Sequence, residues 1–144
     1  MGIVISMEPR RLKKEWEQEK KLLQNLKVSE MQQSAQKSFS HLFQRFHFPN
    51  SFLEEACLDM ALDAFLDGGK HHRYMENGVL PFRFKLQAAF KIGNLAKELT
   101  SFMFDWVEDS SPQRKLIQEA AEGFITDWWK KGLETGFKRQ RLRL

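Results

Sequence analysis

Apolar residues return every three or four positions along most of the chain, the spacing of one face of an α-helix, and no stretch alternates with period two for long enough to seed a sheet. Five helices follow from this pattern. The first spans about Pro9 to Leu26, with Leu12, Trp16, Leu23 and Leu26 on a narrow stripe; the charge over the rest of its surface predicts a peripheral or partly protruding position. Ser29 and Gln32 have the spacing of a capping box and open a second helix to about Phe46, which aligns Met31, Ala35, Phe39, Leu42, Phe43 and Phe46. Ser51 and Glu54 repeat that box ahead of a third helix, Phe52 to Asp67. There Glu55, Asp59, Asp63 and Asp67 hold one narrow arc and apolar residues cover most of the remainder. A helix apolar over so much of its circumference belongs near the centre of a bundle, and Gly68-Gly69 is expected to stop it.

Lys70 to Pro81 is the one substantial polar connection, with a turn signal at Asn77-Gly78. The fourth helix runs from Phe82 to about Glu108, about 40 Å at 1.5 Å per residue. Phe84, Ala88, Ile92, Leu95, Leu99, Phe102, Met103 and Trp106 form its apolar face, with Arg83, Gln87, Lys91, Asn94, Glu98, Ser101 and Asp105 opposite. Ser111 as cap and Pro112 in the first position start the fifth. It carries Ile117, Ala121, Phe124 and Trp128 on one stripe and Ile125, Trp129, Leu133 and Phe137 on the next. Gly132 and Gly136 are expected to weaken its last turns. The short links favour antiparallel neighbours. The expected fold is all-α, a single-domain bundle of about five helices, mostly antiparallel, over residues 1–144. Residues 1–8 form a loose or packed lead-in and 138–144 a basic tail.

Composition narrows the class further. Thirteen Phe and four Trp in 144 residues exclude a disordered chain, and that length suffices to bury a core without staples. The single cysteine excludes an intrachain disulfide and a multi-cysteine zinc site. No apolar run approaches the roughly 20 residues that span a bilayer. Met1-Gly2-Ile3-Val4-Ile5-Ser6 has the spacing of a myristoylation signal, which operates only in cells that own the transferase. The apolar run is too short for a secretory signal, so a cytoplasmic location is expected. Charge alternates along the chain: positive over residues 1–27, negative over 28–69, positive over 70–99, negative over 100–127 and positive over 128–144. Such alternation suggests neighbouring elements whose surfaces attract.

Candidate chemistry is sparse. The ladder Glu55, Asp59, Asp63, Asp67 has metal-like spacing, but no Glu has a His three places after it, as a di-metal bundle site would require. The ladder is also the only hydrophilic arc of its helix, and it reads as a solvated face. Cys57 reads as a small buried hydrophobe, and His41 and His47 as hydrogen-bonded boundary residues. No nucleophile elbow, phosphate-cradling loop, dinucleotide fingerprint or metalloprotease motif is present. No catalytic, cofactor-binding or metal-binding residue is therefore assigned, and no cofactor is expected.

Two groups of residues stand out as candidates for contact. One is the donor-rich Lys70, His71, His72, Arg73 and Tyr74; the other is the basic aromatic C-terminus, with Lys130, Lys131, Lys138, Arg139, Arg141 and Arg143. The expected function is that of a non-catalytic helical bundle working through protein contacts, in a small regulatory or adaptor role. The alternative is peripheral binding of an anionic membrane or nucleic acid by the same C-terminus. Nucleic acid is the less favoured partner, because the third and fifth helices carry too many carboxylates. A bland option is that the C-terminal cations merely cover the acidic arc of the third helix.

The stretch Glu119-Ala120-Ala121-Glu122-Gly123-Phe124, on through Trp128-Trp129-Lys130-Lys131-Gly132 to Arg139-Gln140-Arg141-Leu142-Arg143-Leu144, resembles the end of a family of short uncharacterised proteins from Bacillus-type bacteria. The resemblance is strongest over the last third and implies a bacterial cytoplasm, which would dispose of myristoylation. That family has no assigned activity, so no functional residue carries over from it.

Overall fold

A computed structural model of the chain describes residues 17, 19–24, 26–40, 51–106 and 114–142. Among them are five α-helices: α1 (residues 19–23), α2 (Val28–Phe39), α3 (Ser51–His71), α4 (Phe82–Trp106) and α5 (Arg114–Leu142). A 3-10 turn, His72–Tyr74, continues α3. The only β pairing among the described residues is a single bridge between Glu76 and Val79. Asn77 and Gly78 both take positive φ between these two residues, the conformation a two-residue hairpin demands. The fold is all-α, as the spacing of apolar positions predicts.

Topology follows from a few contacts. Tyr74 stacks on Phe84 and Asp63 pairs with Lys91, so α3 and α4 run antiparallel. Arg114 donates to Ser101 and lies over Phe104, so α5 turns back along α4. Phe39 meets Phe124 edge-on at 5.6 Å, and Trp128 Nε1 donates to Ser34 Oγ at 3.0 Å, which sets α2 antiparallel to α5. α3 and α5 therefore run parallel, and they share the most extensive contact among the described helices. α3 also meets α2 and α4, the central place its broad apolar circumference predicts.

Glycine permits the closeness of α3 and α5. A Cβ at Gly132 would fall under 3.0 Å from the Phe65 carbonyl, and one at Gly68 equally close to that of Trp129. A Cβ at Gly136 would lie 2.6 Å from the Gly69 oxygen. The two backbones touch along this seam, where no side chain fits. Gly68-Gly69 thus does not end α3, which continues to His71, and Gly132 and Gly136 sit inside a helix that runs to Leu142. Burial against a neighbouring helix offsets the roughly 1 kcal/mol by which each glycine disfavours a helix interior.

The stripes expected of α4 and α5 supply about half of the buried core, beside Leu53, Cys57, Ala61, Ala64 and Phe65 of α3. Ala88, Leu95, Leu99 and Met103 are buried from the first; Ile117, Ala121, Phe124, Ile125, Trp128 and Trp129 are buried from the second. Two details differ near the N-terminus. Leu22 is the buried residue of α1, its side chain lying over Gly69, whereas Leu23 and Leu26 are half-buried. α2 begins at Val28 with Lys27 as its N-cap and no side-chain capping bond, so Ser29 lies inside the helix and forms no capping box. Met31, Ala35 and Phe39 are buried as the period predicts. Leu42, Phe43, Phe46, His41 and His47, the cap at Ser111 and Pro112, and the lead-in over residues 1–8 lie outside the described residues.

Candidate functional site

The topology sorts charge toward the two ends of the bundle. The Asp63–Lys91 pair and the Phe65–Trp128 ring contact mark the middle level of α3, α4 and α5. From that level toward the α3–α4 hairpin, the described cations of α3, α4, α5 and their connections are Lys70, Arg73, Arg83, Lys85, Lys91, Lys130, Lys131, Lys138, Arg139 and Arg141. Asp63, Asp67, Glu76 and Glu134 stand against them on the same elements. In the opposite half, Glu54, Glu55, Asp59, Glu98, Asp105, Glu119, Glu122 and Asp127 outweigh Lys37, Lys97, Arg114 and Lys115. The alternation pairs neighbouring helices at Asp63–Lys91, and it also sorts charge by end. Its sign changes at residues 99/100 and 127/128 fall inside α4 and α5, and antiparallel folding carries like signs to a common end. The cationic end also receives the C-termini of α3 and α5, whose partial negative charge favours cations.

The two candidate groups meet at this end. Lys70 pairs with Glu19 of α1 at 2.8 Å, and Arg139 donates to Gln24 at 3.3 Å. His71 is buried in the last turn of α3, edge-on to Trp129 at 5.3 Å and to Tyr74 at 5.7 Å. Its Nδ1–H donates to the Asp67 carbonyl at 2.8 Å, while buried Nε2 has no hydrogen-bond partner. The ring thereby acts mainly as an aromatic wedge between α3 and α5. His72 Nδ1 bonds the Gly69 carbonyl, beside Gly136. Tyr74 is stacked against Phe84 at 4.1 Å, and Arg73 is exposed. The Lys70–Tyr74 segment is thus largely a helix end locked into the bundle, not an open polar loop.

The α5 cations have a different setting. Lys130, Lys131 and Lys138 are exposed on its outer side, together with Glu134. Lys131 Nζ sits 4.2 Å above the Trp128 ring, a cation–π contact that holds its stem along the helix. Because α5 is helical to Leu142, Lys138 shares a helical face with Lys130, where the sequence suggests that residues 138–144 form a tail. Arg141 lies in the last turn of α5 and Arg143 lies outside the described residues.

The acidic ladder resolves into separate environments. Glu55, Asp59 and Asp63 are exposed, and Asp63 pairs with Lys91 at 3.3 Å. Asp67 is half-buried and accepts a 2.9 Å bond from Trp129 Nε1. The acidic arc is met by Lys91 and Trp129, with no contact from the C-terminal cations among those described. No group of three or more His, Cys, Asp or Glu among the described residues has the geometry to hold a metal. Cys57 is buried, and desolvation, with the nearby Glu54 charge adding to it, pushes its thiol up to about 12. Thiolate is scarce there at neutral pH, so this side chain packs and does not react.

The structure also exposes what the pattern concealed. Phe82, Leu86 and Phe90 project from α4 at 73%, 55% and 74% exposure, opposite its core face. Their i, i+4, i+8 spacing is visible in the sequence, but the longer stripe through Phe84, Ala88 and Leu95 dominates the same helix.

Comparison with known proteins adds the following. The family model described as "Protein of unknown function (DUF2521)" matches residues 1–144. The chain belongs to this family. The family's description assigns no activity. The chain is also similar to the uncharacterized protein YbaK of Bacillus subtilis (strain 168), 27% identical over 146 residues, covering 100% of this chain and 99% of that protein. The likeness to uncharacterised Bacillus-type proteins thus extends over the whole length, beyond the C-terminal third where the double Trp first suggests it. No solved structure matches the chain. No helix among the described residues is long and apolar enough to cross a membrane.

Proposed function

We propose that this family member is a non-catalytic cytoplasmic bundle that works by protein contact, as a small regulatory or adaptor protein, docking an acidic surface of its partner on the cationic face of α5. The observation that carries this reading is the sorting of charge to the two ends, with Lys130, Lys131 and Lys138 exposed on a helix packed against α3 along the glycine seam. The helical backbone matters because cations presented from an ordered scaffold lose less conformational freedom on binding than cations on a loose tail. Charge at such a surface acts chiefly on encounter rate and partner choice, so binding should weaken as salt rises.

The test is a triple charge reversal, K130E/K131E/K138E, compared with the unaltered chain by affinity capture from cells. These side chains are exposed, so the thermal midpoint should stay within a few degrees. Proteins captured by the native chain at low salt should be lost from the variant. An unchanged set of captured proteins would remove the α5 face from the account. Capture of nucleic acid in place of protein, seen as a gel shift abolished by the same substitutions, would replace the protein reading.

A further inference from the structure

We propose that the outer stripe of α4 is a lipid-contacting surface that seats the cationic end of the bundle on an anionic bilayer. This site is distinct from the α5 face and does not rest on the docking reading. Phe82, Leu86 and Phe90 form one exposed row, and Val79 in the adjoining hairpin is 58% exposed. On a wheel of 100° per residue, Lys85 flanks this row on one side and Arg83 on the other. Between Phe82 and Lys97 the helix has no acidic residue. The row lies in the half of the molecule where cations outnumber carboxylates, so apolar exposure and positive charge coincide.

That combination is the one an interfacial helix requires: large apolar side chains to enter the boundary between headgroups and acyl chains, and cations beside them to meet lipid phosphates. The two Phe and one Leu offer roughly 400 Å² of apolar contact. A stable protein interface takes about 800 Å² from each partner. The row is also the convex outer side of a single helix rather than a groove. A second copy of this chain laid row to row would add further cations, and α4 has no carboxylate between Phe82 and Lys97 to offset them. An anionic lipid surface meets both the apolar row and its cationic flanks, and its contact area is not limited by a partner's shape.

The experiment uses the full chain with vesicles of equal parts phosphatidylglycerol and phosphatidylcholine, against vesicles of phosphatidylcholine alone. The chain is expected to sediment with the anionic vesicles and stay in solution with the neutral ones. F82S/F90S should lower the partition coefficient at least tenfold while leaving the thermal midpoint unchanged, since neither ring packs in the core. Because Cys57 is buried, an environment-sensitive thiol dye can be directed to F90C. Its emission should shift to the blue on adding anionic vesicles, whereas dye on E122C at the acidic end should not respond. Absence of sedimentation, or equal sedimentation of F82S/F90S, overturns the proposal. A dimer in solution that F82S/F90S dissolves, without vesicle binding, overturns it also and assigns the row to a second copy.

Discussion

Replacing Gly132 with alanine is expected to destabilise the protein by about 2–4 kcal/mol, although alanine is the better helix former. In an open helix the change would gain about 1 kcal/mol. Here the added methyl would stand under 3.0 Å from the Phe65 carbonyl, a backbone group that cannot rotate aside as a side chain would. α3 and α5 must separate, and every contact along their shared length loosens with them. Overpacking of a core typically costs about 1–3 kcal/mol, and more where backbone must move. Gly123 of the same helix is the control, because nothing lies within 4 Å of a Cβ placed there. Gly123→Ala should raise stability by about 0.5–1 kcal/mol. Urea denaturation of the two variants should therefore move their midpoints in opposite directions. A Gly132→Ala midpoint as high as that of Gly123→Ala would show that the helices do not touch as described.

Trp128→Ala should destabilise by about 3–5 kcal/mol, the range for removing a large aromatic side chain from a core. Trp128 is buried where α2, α3 and α5 converge: Phe65 meets its ring edge-on at 6.4 Å, its Nε1 donates to Ser34, and Lys131 lies above it. Removing it takes contacts from three helices at once. Trp128→Phe retains most of the ring volume but not the N–H, and should cost about 1–2 kcal/mol by comparison. Ser34 is half-exposed and can turn to water, which keeps the second figure small. The difference between the two variants, read from urea midpoints at equal slope, separates packing from the hydrogen bond. Equal losses would mean that the bond to Ser34 outweighs the packing of the ring.

Much of the fold is legible in the sequence because helical period is a local property. Met31, Ala35 and Phe39, and the row from Ile117 to Trp129, are buried where a 3.6-residue repeat puts them. Glycine is where local reading fails. Gly68-Gly69 has the composition of a helix stop, and the fact that α5 presses against it lies in a segment more than sixty residues away. The four-residue spacing of Gly132 and Gly136 is the one clue in the sequence to a close-packed seam. Ser29 shows a similar limit: the box spacing is present, but α2 begins before it.

The candidate site is legible in its residues but not in its arrangement. Lys130, Lys131 and Lys138 stand out from composition alone, whereas their common end with Arg83 and Lys85 depends on which way each helix runs. His71 and Tyr74 stand out for their chemistry, yet tertiary packing places one inside the bundle and the other on the Phe84 ring. The row Phe82, Leu86, Phe90 escapes notice because hydrophobic spacing does not say which of two apolar faces a bundle will bury.

The central claim is that the cationic end is where this protein meets other molecules. A photoreactive amino acid placed at Lys138, and separately at Glu122 on the acidic end, tests it inside living cells. The account predicts covalent adducts with other proteins from position 138 and none from position 122. Adducts from position 122 with none from position 138 would contradict it.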